Sequence, residues 1–196
     1  MAAMSSVAAY IVVGGRSSRM GRDKAHLVIG GKTLLEHALA TAAQVAGSAA
    51  IAGPRQRYGA GAVEDIYPGQ GPLAGIHAAL THSTAELNLI LAVDTPFVTP
   101  DFLRFLVEEA ERTKATVTVP FVAERYHPLC AVYRREFAQA AEKALQAGHN
   151  KIDALFCQVS VHEIKEAEFV GLAFDARMFD NLNTPEDFER AQRRQP

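Results

Sequence analysis

The chain has 196 residues, of which 48% are hydrophobic and 21% are charged, and its formal net charge is −2. This profile is typical of one globular domain that buries a core without a metal or a disulfide framework. The balance of 20 basic and 22 acidic residues leaves no excess positive charge for binding nucleic acid. No apolar stretch is long enough to cross a membrane, and we expect a single domain over residues 1–196.

The cysteines and the start of the chain indicate the compartment. Cys130 and Cys157 have neither a metal-binding spacing nor a dense disulfide pattern, as expected in a reducing environment. The apolar residues 1–13 have no basic segment and run into glycines rather than a cleavage site, so they predict a buried strand instead of a secretion signal. The expected location is the cytoplasm.

Apolar periodicity predicts alternating strands and helices along the chain. Strands are predicted at residues 9–13, 49–52, 62–65, 88–93, 116–119 and 129–133. Helices are predicted at residues 33–45, from 72 onward, at 101–112, at 136–147 and from Pro185 onward. The alternation favours an α/β fold, a three-layer Rossmann-like domain with a mostly parallel sheet and helices on both faces. The sequence pattern is less regular from about residue 116 to residue 177, and we expect this region to form the part of the protein that faces the acceptor substrate.

A glycine- and arginine-rich segment follows the first predicted strand. Residues 14–24 read Gly-Gly-Arg-Ser-Ser-Arg-Met-Gly-Arg-Asp-Lys. Ligands of open α/β sheets bind beyond the carboxyl ends of the strands. Glycines let backbone N–H groups approach a phosphate, and arginine and lysine neutralise its charge. The segment therefore predicts a polyphosphate-binding loop, in preference to a solvated surface loop.

Two familiar phosphate-binding motifs do not occur in this sequence. The dinucleotide pattern G-x-G-x-x-G does not occur in residues 14–24, which disfavours a hydride-transfer enzyme. Gly31, Lys32 and Thr33 resemble the end of a P-loop, but the first glycine of that motif would fall at His26. Gly30 and Gly31 are better explained as a turn before a helix.

Two further segments follow strand-like runs. Asp94 ends the strongest apolar strand, where a carboxylate beside phosphates commonly holds magnesium, although a turn or cap role is the alternative. Asp65 precedes the Gly/Pro-rich residues 68–75, which bring backbone groups within reach of a base or sugar.

These segments together resemble the nucleotidyltransferases of the molybdenum cofactor guanylyltransferase (MobA-like) type, over about residues 9–188. The motifs are Val-Val-Gly-Gly-x-Ser-x-Arg-Met-Gly-x-Asp-Lys-Ala at 12–25, Gly-Pro-Leu-Ala-Gly-Ile at 71–76, Asp-Thr-Pro-Phe at 94–97, His-Pro-Leu at 127–129 and Asn-Leu-Asn-Thr-Pro-Glu-Asp at 181–187. The first motif is shared with nucleotide-sugar pyrophosphorylases and cytidylyltransferases, so it identifies the reaction class rather than the substrate.

The resemblance implies transfer of GMP from GTP to the terminal phosphate of molybdopterin, with release of pyrophosphate and with Mg²⁺ as cofactor. The implied catalytic residues are Arg19, Lys24 and Asp94, with Asp94 on the metal. The implied GTP-binding residues are Val12, Val13, Gly14, Gly15, Lys24, Asp65, Pro72, Leu73, Ala74, Gly75 and Asp94. His127, Asn181 and Asn183 are implied on the acceptor side, although packing against neighbours is an alternative role for His127. Transient contact with proteins that supply the cofactor or mature molybdoenzymes is expected, without nucleic acid or membrane.

Departures from the family pattern keep two alternatives open. Val12 and Val13 replace the usual Leu-Ala, Val93 replaces a common cysteine, and residues 49–54 lack the asparagine that often follows the second strand. A related enzyme that uses CTP or a sugar phosphate, and a nucleotide-binding regulator without activity, are the competing hypotheses. We also expect a larger side chain at Gly15 or Ala74 to reduce the preference for guanine before it disrupts the fold. The fold should tolerate the change because both positions are predicted to lie in a loop or at the start of a helix, outside the core.

Overall fold

A computed structural model describes residues 6–13, 23–170, 172, 174–182 and 184–193. Strands β1 to β9 are Val7–Val12, Val28–Ile29, Lys32–Thr33, Ala49–Ala52, Leu87–Ala92, Val117–Val122, Arg125–Tyr126, Cys130–Arg134 and Val161–Lys165. Helices α1 to α7 are Leu34–Ala46, Arg55–Tyr58, Pro72–His82, Pro100–Thr113, Phe137–Gln146, Glu166–Val170 and Pro185–Arg193. Short 3₁₀ helices span Lys24–His26, Asp153–Gln158 and Ala176–Phe179.

The central sheet has the strand order β4-β1-β5-β8-β6, and β7 and β9 both pair with β6. Strands β4, β1 and β5 are parallel to one another, and β9 is parallel to β6. Strand β8 is antiparallel to both β5 and β6. The predicted α/β class with a mostly parallel sheet is confirmed. The predicted strand at 62–65 is wrong, since these residues contribute only a bridge between Ala52 and Val63.

Helices cover both faces of the sheet because the inner strands are apolar on both sides. On β1, Ala9 and Ile11 face one core, which α1 and α4 complete. Tyr10 and Val12 face the other core, which α3 and α5 complete. This arrangement is the one that continuously apolar parallel strands require, because neither face of such a strand tolerates water.

Local sequence explains where the first helices begin. Gly30 and Gly31, with φ of 58° and 78°, connect the hairpin strands β2 and β3, which confirms the predicted turn. Helix α1 then begins with a capping box in which Thr33 and Glu36 satisfy each other's backbone N–H groups.

Helix α3 begins at Pro72 and packs its first turn into the core. Leu73 and Ala74 are both 0% exposed. The expectation that Ala74 lies outside the core is therefore wrong, and a larger side chain at this position must displace its neighbours.

Residues 116–177 are more regular than the sequence indicated. They contain strands β6 to β9 and helices α5 and α6, so most of this region extends the sheet and its covering layer. No helix in the described part of the chain is long and apolar enough to span a bilayer.

Candidate functional site

Three parallel strands bring their carboxyl ends to one edge of the sheet. Residues 13, 53 and 93 follow β1, β4 and β5, and the backbone N–H of Val13 donates to the carbonyl of Ala52 at 3.0 Å. The segments predicted to hold the ligand therefore leave the sheet side by side.

An ion pair stands at this edge. Lys24 Nζ lies 3.0 Å from Asp94 Oδ2, and the two side chains are only 18% and 20% exposed. Asp94 follows the buried strand β5, and Lys24 begins the 3₁₀ helix Lys24–His26. The fold thus joins two predicted catalytic residues that are 70 positions apart in the sequence.

Three predicted nucleoside-binding residues also meet. A Cβ placed on Gly75 would lie 3.2 Å from Val12 Cγ1 and 3.7 Å from Asp65 Oδ1. Burial raises the pKa of the half-buried Asp65 carboxyl, and the charge of Glu64 adds to the effect. A carboxyl group beside an apolar wall and a glycine can accept hydrogen bonds from the hydroxyl or N–H groups of a nucleoside.

The segment before α7 lies beside Asp94. The backbone N–H of Leu182 donates to the Asp94 carbonyl at 3.1 Å. Thr184 and Asp187 cap each other's backbone N–H groups at 3.1 and 3.0 Å, which fixes the start of α7. Asn181 therefore has a defined position next to the metal-ligand candidate.

A cavity of about 260 Å³ opens at Asn181. Its lining includes Phe97, Arg125, Asp187 and Arg190, and Arg190 forms an ion pair with Asp187. Asp180 also lines it, so two guanidinium groups, two carboxylates and an amide make this cavity polar and suited to a hydrogen-bonding ligand.

His127 lies in the turn between β7 and β8. Its ring centroid is 4.3 Å from that of Phe179. Burial lowers the pKa of His127 to about 4, and the positive charge of Arg125 contributes. The ring is therefore neutral at physiological pH, and its contact with Phe179 agrees with the packing role left open from the sequence.

Sequence analysis did not single out the residues that hold Lys24 in place. The Asp23 carboxylate accepts hydrogen bonds from the Ala25 backbone N–H, the Arg57 guanidinium and the Tyr58 hydroxyl, at 3.1, 3.1 and 2.7 Å. An aspartate directly before a short helix is a capping signal that identifies Asp23. Nothing in the local pattern around Tyr58 indicates its long-range bond.

Four predicted site residues lie outside the described part of the chain. They are Gly14, Gly15, Arg19 and Asn183. Within the described part, no cluster of three or more His, Cys, Asp or Glu side chains is arranged to hold a metal ion.

Comparison with known proteins agrees with this geometry. The family model of the MobA-like NTP transferase domain matches residues 9–161. A "probable molybdenum cofactor guanylyltransferase" of Pelotomaculum thermopropionicum is 33% identical over 193 residues, covering 96% of this chain and 93% of the relative. The molybdenum cofactor guanylyltransferase of Syntrophotalea carbinolica is 31% identical, covering 96% of this chain and 91% of the relative.

A solved structure shares the fold. The crystal structure of molybdopterin-guanine dinucleotide biosynthesis protein A from Archaeoglobus fulgidus superposes with a TM-score of 0.82 at 29% identity, covering 94% of this chain and 96% of that one. Because the family model spans most of the chain and these relatives match nearly all of it, the chain belongs to the family of the MobA-like NTP transferase domain.

Proposed function

We propose that this protein is a molybdenum cofactor guanylyltransferase, which transfers GMP from GTP to the terminal phosphate of molybdopterin and releases pyrophosphate. The observation that carries the proposal is the Lys24–Asp94 pair at the carboxyl edge of the sheet, in a nucleotidyltransferase whose relatives bear this name. A cation and a carboxylate at that edge are the groups needed to bind a triphosphate and its metal.

In the proposed reaction, an oxygen of the acceptor phosphate attacks the α-phosphorus of GTP in line with the departing pyrophosphate. No protein nucleophile is required, and Cys130 is unsuited to be one because burial raises the pKa of its thiol to about 12. The protein positions two polyanions and neutralises charge as it builds on the leaving group. We assign that neutralisation to Lys24 and Arg19.

Asp94 would hold Mg²⁺ in the proposed complex. The fit is chemically sound, because Mg²⁺ is commonly bound by one or two carboxylates together with substrate phosphate oxygens and water. When bound, the ion would supply positive charge at the reacting phosphate oxygens. Lys24 Nζ contacts one carboxylate oxygen of Asp94, which holds both side chains at the edge of the sheet where this proposal puts the phosphates.

For the nucleoside, we propose the region formed by Val12, Asp65 and Gly75, and we keep Val13, Gly14 and Gly15 as further contacts predicted from the sequence. In this proposal Asp65 accepts hydrogen bonds from the nucleoside. The side chains of Leu73 and Ala74 are fully buried in the core, so residues Pro72–Gly75 would contribute backbone groups rather than side chains.

For the acceptor, we propose the cavity beside Asp94. Asn181 lines it, and Arg125 supplies a positive charge for the acceptor phosphate. Asn183 and His127 complete the acceptor side in this proposal. The carbonyl of Leu129, two residues after His127, accepts a hydrogen bond from Ala92 at the end of β5, so this turn lies against the strand that leads to Asp94.

The proposal also includes the domain organisation, the location and the protein partners that the sequence predicts. We infer one domain, a cytoplasmic location, and transient contact with proteins that supply molybdopterin or receive its guanine dinucleotide form. The unpaired thiols of Cys130 and Cys157 are in keeping with a reducing compartment.

Product analysis tests the proposal directly. The protein is incubated with GTP, Mg²⁺ and molybdopterin, with ATP, CTP and UTP in parallel, and the products are identified by mass spectrometry. Formation of the guanine dinucleotide with release of pyrophosphate is expected. A cytosine product would favour the CTP-dependent alternative, and no product with any triphosphate would favour the regulator without activity.

A further inference from the structure

Tyr58 connects the two ends of the glycine- and arginine-rich segment. It ends α2, the short helix that follows β4. Its hydroxyl donates to Asp23 Oδ2 at 2.7 Å, and its ring lies over Gly53, where a Cβ would be 3.4 Å from Tyr58 Cδ2 and 2.4 Å from Val13 Cγ2. Val13 and Asp23 flank positions 14–22. The Tyr58 side chain therefore packs near Val13, on one flank, and forms a hydrogen bond with Asp23, on the other.

The Asp23 carboxylate is held from both sides. Its Oδ1 accepts the Ala25 backbone N–H at 3.1 Å and thereby caps the 3₁₀ helix Lys24–His26, while its Oδ2 accepts from Tyr58. Burial raises the pKa of Asp23, but the hydrogen bonds from Tyr58 and Ala25 outweigh that effect and hold the pKa below its ordinary value. Asp23 is therefore a fixed anion.

Of the two side chains on Oδ2, Tyr58 provides the stronger restraint. Arg57 also lies 3.1 Å from Oδ2, but its side chain is 61% exposed. Exposed ion pairs contribute little because water screens them and the long side chain must be ordered. Tyr58 is partly buried, has fewer flexible side-chain torsions than an arginine, and donates a hydrogen bond of 2.7 Å to the charged carboxylate.

We propose that Tyr58 is a positioning residue for Lys24, and that it acts through Asp23 to fix the turn from which Lys24 reaches the triphosphate. Lys24 is the first residue of the 3₁₀ helix that Asp23 caps, so rotation of the Asp23 carboxylate would break the bond to Ala25 that holds this turn. The proposal rests on the proposed function, because it takes phosphate binding by Lys24 as given.

A double-mutant cycle on the full chain tests this coupling. The Kd of each triphosphate with Mg²⁺ is measured by titration calorimetry for the unmodified protein, for Tyr58→Phe, for Lys24→Ala and for the double variant. Tyr58→Phe keeps the ring and removes one hydrogen bond to a charged group, so we expect the Kd of GTP to rise about fivefold. In the Lys24→Ala background the same change is expected to have no effect, because a residue that acts through Lys24 has nothing left to position.

Tyr126→Phe is the matched control. Its hydroxyl also donates to a carboxylate, that of Glu163, and the two residues lie on β7 and β9, at the opposite end of the strand order from β4. The Kd of GTP should not change in this variant. If Tyr58→Phe lowers the melting temperature below the range of the assay, Asp23→Asn provides a second route to the same cycle, with the same dependence on Lys24 expected.

The outcomes separate this inference from the proposed function. Equal loss of affinity in both backgrounds, or no loss in either, would overturn the positioning role and leave the guanylyltransferase proposal standing. Binding of CTP in place of GTP would overturn the choice of guanine, and the cycle would then be judged with CTP. Failure to bind any triphosphate would overturn both.

Discussion

Lys24 and Asp94 interact where water screens their charges only in part. The pair spans 3.0 Å, and about four fifths of each side chain is shielded from solvent. Opposite charges in such a setting attract more strongly than an exposed pair does, but removal of one partner takes this attraction from a group that stays partly desolvated. The pairing that holds the two side chains together therefore makes each residue sensitive to substitution.

We expect Asp94→Asn to lower kcat by at least about 100-fold, because the substitution removes the anionic ligand for Mg²⁺ at the reacting phosphate. Steady-state pyrophosphate release at saturating Mg²⁺ measures the effect. Asp101→Asn is the control, since Asp101 forms a surface pair with Arg104 and its side chain is 77% exposed. Near-normal turnover of Asp94→Asn would contradict the metal-ligand assignment.

We expect Lys24→Ala to reduce kcat/KM for GTP by about 100-fold, the typical loss when one preorganised charge-stabilising donor is removed. Lys151→Ala is a suitable comparison, because Lys151 is 77% exposed and lies 3.4 Å from Asp153. The measurement is initial rate against GTP concentration for both variants. A change below about threefold at Lys24 would argue against its role on the triphosphate.

At the scale of elements, the sequence predicts strands and helices better than it predicts strand direction. Helix α1 follows from apolar spacing and a capping box, and α4 from Pro100 at its first position after the Thr99 cap. Strand β8 is fully buried along its length, as a parallel strand would be, so its apolar pattern does not reveal that it runs antiparallel. Residues 62–65 read Ala-Val-Glu-Asp and form only one bridge, because Val63 alone among them favours a strand.

The contact between the β7–β8 turn and the 3₁₀ helix Ala176–Phe179 predicts a pH dependence of stability. His127 packs on Phe179, and its pKa is about 4, below the ordinary value of 6.5. Between pH 6.5 and 4, residue 127 of the unfolded chain therefore binds a proton more readily than His127 of the folded chain. The neutral ring makes its full contribution to stability above pH 6.5, and this contribution is lost as the pH falls toward 4.

Urea unfolding at a series of pH values measures this effect. Between pH 6.5 and 4.5 we expect the free energy of unfolding to fall by about 1–3 kcal/mol more in the unmodified protein than in His127→Gln, which has no titrating ring. Subtraction of the two curves removes the contribution of other groups that titrate in the same range. Parallel curves would show that His127 is not buried as a neutral ring.

The whole molecule assembles the site from distant parts of the chain. Lys24 comes from the segment after β1, Asp94 follows β5, and Leu182, which bonds to the Asp94 backbone, lies just before α7. The positions of these residues after their strands or before their helix can be predicted from the sequence, because the carboxyl edge of a parallel sheet is a general feature of the fold. The distances between them and the hydrogen bond from Tyr58 to Asp23 cannot, because they depend on how the helices on the two faces pack against the sheet.

Under the proposed function, base selection depends on the region formed by Val12, Asp65 and Gly75. Guanine presents N–H donors at N1 and at its amino group beside a carbonyl acceptor, whereas cytosine and adenine present different patterns. Val12 and Gly75 are packed so closely that a Cβ at residue 75 would lie 3.2 Å from Val12 Cγ1, and Asp65 supplies a carboxyl acceptor beside them. A binding region with backbone groups and one carboxyl acceptor discriminates between bases, because a mismatched base leaves buried polar groups without hydrogen-bond partners.

We therefore expect GTP to bind at least about tenfold more tightly than CTP or ATP, a difference that one or two unpaired buried hydrogen-bonding groups readily produce. Competition binding of the four triphosphates, each with Mg²⁺, measures the preference. Gly75→Ala should narrow the preference for GTP, because the added methyl group presses on Val12 and approaches Asp65. Gly61→Ala, which has no atom within 4 Å of the added Cβ and no positive φ, should leave the preference unchanged. Equal or tighter binding of CTP would show that the pocket does not read guanine and would favour the CTP-dependent enzyme.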